Sequence, residues 1–202
     1  MKILNLYAGI GGNRKLWPDV LPNGEPVKIT AVELAPAIAA VYQKFFPHDT
    51  VIVGDAHEYL LWHYKEFDFI WVSPPCQSHS RLNYFLNIKS GKKEPAYVDM
   101  TLWQEILFLK TYARCLWVIE NVRPYYKPLM EPDFVIGRHY YWSNKFIFST
   151  GAPKDFNIDN TSLNRHGFDL RGSGIKNQKA AYRNCVTPEI GKYIFDNILG
   201  LS

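Results

Sequence analysis

Little in this 202-residue chain points to covalent or metallic scaffolding. Its three cysteines, an odd number with no close pair, argue against a disulfide framework and against a zinc site, so no metal is expected. No apolar run is long enough to span a bilayer and no secretory leader precedes the first apolar segment, so the expected compartment is the cytoplasm. Internal repeats, low-complexity tracts and linkers are missing too, which leaves one compact domain as the expectation. A P-loop lysine pattern is also missing. Charge of neither sign dominates: 23 basic against 19 acidic side chains give a net +4, which permits a polyanionic partner without requiring one. What is present is an ordinary soluble composition, 47% hydrophobic and 21% charged, but with 15% aromatic residues. That aromatic share is high and suits either a packed small core or stacking surfaces.

The chain is organised around Ser73-Pro74-Pro75-Cys76-Gln77, which follows the apolar run Phe67-Asp68-Phe69-Ile70-Trp71-Val72. Proline fixes φ and removes the backbone donor, so the Pro-Pro pair makes a stiff, extended exit from a buried strand. Ligands of open α/β sheets bind outside the carboxyl ends of the strands, where this exit delivers Cys76. An isolated Pro-Cys would read as a tight loop with an inert thiol. Here the polar and basic Gln77-Ser78-His79-Ser80-Arg81 follows, poor surroundings for a core thiol, and Cys76 reads as a nucleophile.

Around it, strands are expected at Lys2–Tyr7, Lys28–Val32, Thr50–Val53, Phe67–Val72 and Leu116–Ile119. The first leads into Ala8-Gly9-Ile10-Gly11-Gly12 and a short helix from Asn13 to Trp17, a turn that lets a ligand approach the backbone. The second ends on Glu33, readable as a ribose contact or as a helix-start charge, and the third is followed by Asp55, which repeats the position of Glu33 just past a strand end. Two carboxylates beside a glycine turn repel a polyphosphate and suit an adenosine that carries a sulfonium, as in S-adenosylmethionine. Helices are expected at Ala35–Phe46, Asp99–Arg114 and Pro188–Leu199. Segments Phe134–Trp142 and Lys145–Phe148 read as two more strands, paired through Ser143-Asn144. The long polar stretch from Gln77 to Pro95 reads as a binding loop, and Glu120, at the end of the fifth strand, faces the same crevice as Cys76.

Taken in order, Tyr7-Ala8-Gly9-Ile10-Gly11-Gly12, Pro74-Pro75-Cys76-Gln77, Glu120-Asn121-Val122 and Asn184-Cys185-Val186-Thr187-Pro188 resemble the ordered motifs of the DNA (cytosine-5) methyltransferases. The resemblance implies an α/β, Rossmann-like S-adenosylmethionine-dependent methyltransferase sheet with flanking helices, an S-adenosyl-L-methionine cofactor and double-stranded DNA as partner. By that resemblance Tyr7, in place of the usual phenylalanine, sets an aromatic face against the cofactor, and Ala8, Gly9, Gly11 and Gly12 form its turn. Glu33, next to Leu34, would hold the ribose, and Asp55, next to Ala56, the adenine amino group. Pro74, Leu102, Asn184 and Val186 resemble further cofactor contacts. Cys76 resembles the nucleophile that adds to carbon 6 of cytosine, Glu120 the group that bonds the target base, and Arg138 an arginine that assists it. Tyr140 replaces the second arginine of that last motif.

The Gln77–Pro95 stretch resembles the family's mobile loop, which closes over a flipped base, and would bring Gln77, Ser80, Arg81, Lys89, Lys92 and Lys93 to the nucleic acid. The family's separate recognition lobe has little room here. The expected division is a catalytic and cofactor-binding domain at 1–144, a reduced recognition segment at 145–182, and a returning segment at 183–202. Arg165, Arg171, Lys176 and Lys179 make the reduced segment basic and read together as a phosphate-contacting arm. Such an arm implies a short recognition site, on the order of two to four base pairs, or a partner chain that supplies the missing lobe. Transfer RNA as substrate is one alternative, since one branch of the family methylates it, and a non-catalytic DNA-binding relative is the other, against which an intact Cys76 with Glu120 argues.

Overall fold

The computed structural model describes residues 1–92, 94, 97–154 and 166–201. The apolar runs become five parallel strands: β1 (Lys2–Leu6), β2 (Lys28–Glu33), β3 (Thr50–Val53), β4 (Phe69–Val72) and β5 (Leu116–Val122). With β6 (Phe134–Ile136) and β7 (His139–Ser143) they form a seven-stranded sheet ordered β3-β2-β1-β4-β5-β7-β6, in which β7 runs antiparallel to both neighbours. The helices are α1 (Pro36–Phe45), α2 (Ala56–His63), α3 (Arg81–Asn83), α4 (Thr101–Tyr112), α5 (Gln178–Arg183) and α6 (Pro188–Leu199).

Side chains alternate across the sheet with a period of two, and both faces are covered, which is why the strands read as continuous apolar runs. Ile3, Ile29, Phe69, Trp71 and Val118 pack with Trp17 and with Ile190, Ile194 and Phe195 of α6. Leu4, Leu6, Ile70, Val72 and Ile119 pack on the other side with Leu60 of α2 and with Leu102, Ile106 and Leu109 of α4. Each such side chain contributes about 1.5–3 kcal/mol through its removal from water. The strand order reverses between β1 and β4, and this switch point opens a crevice at the carboxyl ends.

The last helix is locked onto the first turn. Trp17 stacks on Phe195 with ring centroids 5.0 Å apart, and its indole N–H donates to the Gly191 carbonyl at 3.1 Å. A Cβ at residue 191 would lie 2.6 Å from the Asn13 backbone, so only glycine lets α6 cross there.

Several expectations need correction. Residues 13–17 form successive tight turns, with Lys15 N bonded to Gly12 O and Trp17 N to Arg14 O, and no helix is present. The cause is Arg14, whose buried guanidinium bonds the Trp17 carbonyl at 2.8 Å and Asp49 at 3.0 Å and so bends the chain back. The hairpin turn lies at Gly137-Arg138, where Gly137 has φ 56°, and Ser143-Asn144 does not form it. Asn144 instead closes the edge of β5 by bonding Trp117 N and the Cys115 carbonyl. Lys145–Phe148 is not a strand: Ile147 is buried between the exposed Phe146 and Phe148, but the segment pairs with no neighbouring strand among the described residues. Helix α2 was not anticipated, although its signal was there: Asp55 accepts from Glu58 N at 2.9 Å, an N-cap with an acid three residues on.

Arg14→Ala is expected to cost about 3–5 kcal/mol by leaving the buried Asp49 charge unpaired. Urea unfolding of the variant against the parent chain measures this directly.

Candidate active site

A cleft of about 820 Å³ opens at the carboxyl ends of the parallel strands. Each strand end contributes to its wall: Tyr7 after β1, Glu33 closing β2, Asp55 after β3, Pro74 and Cys76 after β4, and Glu120 in β5. Gly9, Leu34, Ala56, Gln77, Asn184 and Val186 line it as well. The fold therefore gathers residues that are as far apart in the chain as Tyr7 and Val186.

On the β1–β3 side the carboxylates are fixed by backbone donors. Glu33 accepts from Gly9 N at 3.0 Å through one oxygen and from Ala35 N at 2.9 Å through the other. It thus fastens the glycine turn to the start of α1, so the helix-start reading and the ligand reading both have content. Tyr7 has φ 54°, the left-handed region, which costs a non-glycine residue about 1–3 kcal/mol unless its surroundings impose it. They do: its hydroxyl donates to Glu105 Oε1 at 2.7 Å, and His57 Nδ1 lies 3.2 Å from the same oxygen. Glu105 is fully buried on α4, and its Oε2 lacks a hydrogen-bond partner among the described residues. Burial raises the Glu105 pKa above the usual carboxylate range, against the opposing bond from Tyr7. The sequence reading missed Glu105 and His57. The available signal was an acid on the apolar stripe of Leu102, Ile106 and Leu109.

On the β4–β5 side Asn121 does the positioning. It is buried, and its side-chain amide donates to the Pro74 carbonyl at 2.9 Å, which ties the Pro-Pro exit to β5. His79, fully buried, donates its backbone N–H to the Cys76 carbonyl at 3.1 Å, while its ring Nδ1 pairs with the Tyr126 hydroxyl. Tyr125 N bonds the His79 carbonyl at 3.1 Å, so the root of the cysteine segment is stitched to the exit of β5. Burial first, then the Glu120 carboxylate, push the Cys76 thiol up to about 11, while its own backbone N–H and Arg138 pull it down. His139 lines the cleft, with Nε2 3.5 Å from Glu120 Oε1.

Other expected site residues stand outside the cleft lining. Arg138 is exposed in the β6–β7 turn, where its charge still acts on Cys76. Leu102 is buried in the core beneath α4, because that position falls on the apolar stripe of its helix. Ala8 is buried with Ala31 and Tyr42. A Cβ at Gly11 would strike the rings of Phe46 and Tyr42, and one at Gly12 the Val186 carbonyl, so close packing alone already demands both glycines.

Of the residues expected at the nucleic acid, Gln77 and Lys176 line the cleft, while Arg81, Lys89, Lys92 and Lys179 are exposed outside it. Ser80 accepts from Asn83 N and so caps α3. Arg171 is exposed but paired with Asp169 at 2.7 Å, and this contact holds the carboxylate down at about 2. Lys93 and Arg165 lie outside the described residues. The 168–183 stretch packs as part of the cleft wall more than it projects as an arm. Phe168, Leu170, Ala181 and Tyr182 are buried against Ile10 and Val41, which brings Ile175, Lys176 and Arg183 to the cleft.

The chain belongs to the C-5 cytosine-specific DNA methylase family, whose profile matches residues 1–129. It is 33% identical over 88 residues to the tRNA (cytosine(38)-C(5))-methyltransferase of Spodoptera frugiperda, a match covering 43% of this chain and 26% of that protein. A crystal structure of a Spodoptera frugiperda DNMT2 mutant is similar at 25% identity, over 60% of this chain and 35% of the other, with a TM-score of 0.43. The Entamoeba histolytica methyltransferase EhMeth is similar at 15% identity, over 60% and 38%, with a TM-score of 0.40. The chain thus spans about a quarter of the length of the curated relative and a little over a third of these structures.

The family's methyl donor is S-adenosyl-L-methionine, and the donor set fits it. Glu33 and Asp55 offer acceptors for hydroxyl and amino groups, and the buried Glu105 beneath Tyr7 favours a cation over a phosphate. Lys176 and Arg183 in the same lining suit the carboxylate of the methionine end. Among the described residues no cluster of potential metal ligands occurs, and no helix is long and apolar enough to cross a membrane.

Proposed function

We propose that the chain methylates carbon 5 of cytosine in DNA through a covalent adduct with Cys76. The observation that carries this is the placing of Cys76 and Glu120, from neighbouring strand ends, in one cleft with Tyr7, Glu33 and Asp55. Bound S-adenosylmethionine supplies an electrophilic methyl group. Cytosine carbon 5 is too weak a nucleophile to take it unaided. Addition of the Cys76 thiolate to carbon 6 turns the ring into an enamine whose carbon 5 is nucleophilic. Glu120, sharing a proton with ring nitrogen 3, offsets the negative charge that develops there, and the guanidinium of Arg138 acts in the same sense. Loss of the carbon-5 proton then expels the thiolate. A base stacked in a duplex cannot receive the thiolate above its face, so the target is flipped out at a cost of a few kcal/mol.

In this reading residues 1–144 form the catalytic and cofactor-binding domain, 145–182 the reduced recognition segment, and 183–202 the return to the sheet. The reaction suits protection of DNA from restriction, with a partner chain as the source of any long, stringent recognition. Transfer RNA is the second reading, favoured by the name of the Spodoptera relative.

An oligonucleotide with 5-fluorocytosine at the target decides the chemistry, because fluorine cannot leave as a proton does. Incubation with the chain and S-adenosylmethionine should give a denaturation-resistant complex whose mass spectrum places the link on Cys76. No adduct from a chain that methylates the normal oligonucleotide would rule out the covalent route.

A further inference from the structure

Beyond the mouth of the cleft the surface has a character that the chemistry of the site does not use. Three stretches meet there: residues 77–92, the β5 exit at 121–128, and the β6–β7 turn at 137–140. None contains an acidic residue, while together they carry, beside the Arg138 already given to the site, Arg81, Lys89, Lys92, Arg123 and Lys127, all exposed.

Aromatic rings lie between these cations, joined by ring contacts and by backbone bonds. Lys89 Nζ lies 5.4 Å from the centroid of Phe85, and Phe85 meets Tyr84 edge-on at 5.5 Å. Tyr84 stacks on Tyr125 with centroids 4.2 Å apart and planes within 6°. Ser80 pairs with Pro124 in an isolated bridge, Arg123 N bonds the Arg138 carbonyl at 2.9 Å, and the Arg123 guanidinium lies 5.6 Å from the Tyr140 ring centroid. Leu82, Phe85 and Leu86 stay 65%, 46% and 56% exposed on the same segment, so the helical turns at 81–88 present apolar side chains to solvent. A solvated loop gains nothing from that.

Cations alternating with an exposed ring, Phe85, and the half-buried rings of Tyr84, Tyr125 and Tyr140 match a polynucleotide whose bases are uncovered. Phosphates meet the cations, and each base offers a π-face to a ring or a guanidinium. A closed duplex hides those faces, so it would use the cations and leave the rings idle. We propose that this belt binds the unpaired nucleotides flanking the target cytosine, and that the preferred substrate is a single-stranded or locally opened polynucleotide. The inference rests on the cytosine-methylation reading above and names the substrate class of that site. It also explains how a chain with so little room for a recognition lobe holds its substrate: stacking replaces groove reading.

The test is fluorescence anisotropy of the full chain with one cytosine-containing sequence in four forms at fixed salt. These are single-stranded DNA, the closed DNA duplex, the same duplex with a central mismatched bubble, and single-stranded RNA. The single-stranded and bubble forms should bind about tenfold or more tighter than the closed duplex. Tyr84→Ala with Tyr125→Ala should erase most of that preference. Phe85→Ala with Arg123→Gln, both at exposed positions, should reduce it in a chain whose thermal unfolding is unchanged. The RNA and DNA arms tell which polymer is preferred.

A closed duplex bound as tightly as the bubble, or a preference untouched by both double variants, would overturn the proposal. The methylation reading is scored separately by mass spectrometry of the same oligonucleotides. Methylation of the duplex without a binding preference removes only this inference. A binding preference with no methylation of any form removes only that reading.

Discussion

Cys76→Ser is expected to abolish methyl transfer, by on the order of 10⁴-fold or more, with S-adenosylmethionine affinity unchanged. A serine hydroxyl is far less acidic than a thiol and adds poorly to carbon 6, whereas Glu33 and Asp55, proposed to hold the cofactor, sit on other strand ends. Tritiated methyl transfer and isothermal titration measure the two quantities on one preparation. The wild-type thiol adds a pH signature. Pushed up to about 11 by burial and by Glu120, Cys76 is protonated at neutral pH in the free chain. Alkylation by iodoacetamide should therefore be slow near pH 7 and rise about tenfold per pH unit below that value, because only the thiolate reacts. Fast alkylation of Cys76 near pH 7 would show that the free chain already holds a thiolate and that substrate need not help to form it.

Glu120→Gln is expected to move two readouts in opposite directions. Methyl transfer should fall about 10²- to 10³-fold, since the variant cannot share a proton with ring nitrogen 3 as charge develops there. Alkylation of Cys76 near pH 7 should nevertheless become faster. The Glu120 carboxylate raises the thiol pKa, so its removal lowers that pKa and increases the thiolate fraction. Glu120 thus adds to the burial that keeps the nucleophile protonated in the free chain. A variant that merely disturbed the fold would lose methyl transfer without this selective gain in Cys76 reactivity. If both rates fall together, or if alkylation is unaffected, the coupling between the two strand ends is absent. Reading the alkylation by peptide mass spectrometry distinguishes Cys76 from Cys115 and Cys185, which are also free thiols.

What could be read from the chain alone was whatever depends on local covalent constraint and periodicity. The apolar runs gave β3 and α6 to the residue, because an unbroken β-branched run, Thr50-Val51-Ile52-Val53, and a proline at the first helical turn leave direct traces in composition. The Pro-Pro-Cys exit and the acids at strand ends were legible for the same reason, since one strand and its turn contain the whole constraint. Tertiary structure decided which of these residues share a cleft and what each does besides. Glu105 passed without notice on its apolar helix, because the hydroxyl that donates to it belongs to Tyr7, 98 residues away. Asn121 read as part of a motif, and its work is a bond to the carbonyl of Pro74 on the neighbouring strand exit. The 13–17 segment read as a helix because local propensity was the only guide, and the buried Arg14–Asp49 pair overrode it. The 168–183 stretch read as a charged arm because its cations stood out, whereas Phe168, Leu170, Ala181 and Tyr182 decide its place by packing on Ile10 and Val41. Backbone conformation within a few residues is governed by local sterics, but burial is settled only when distant segments meet. A side chain whose role lies in contact with another element carries no sign of that role in its own neighbourhood.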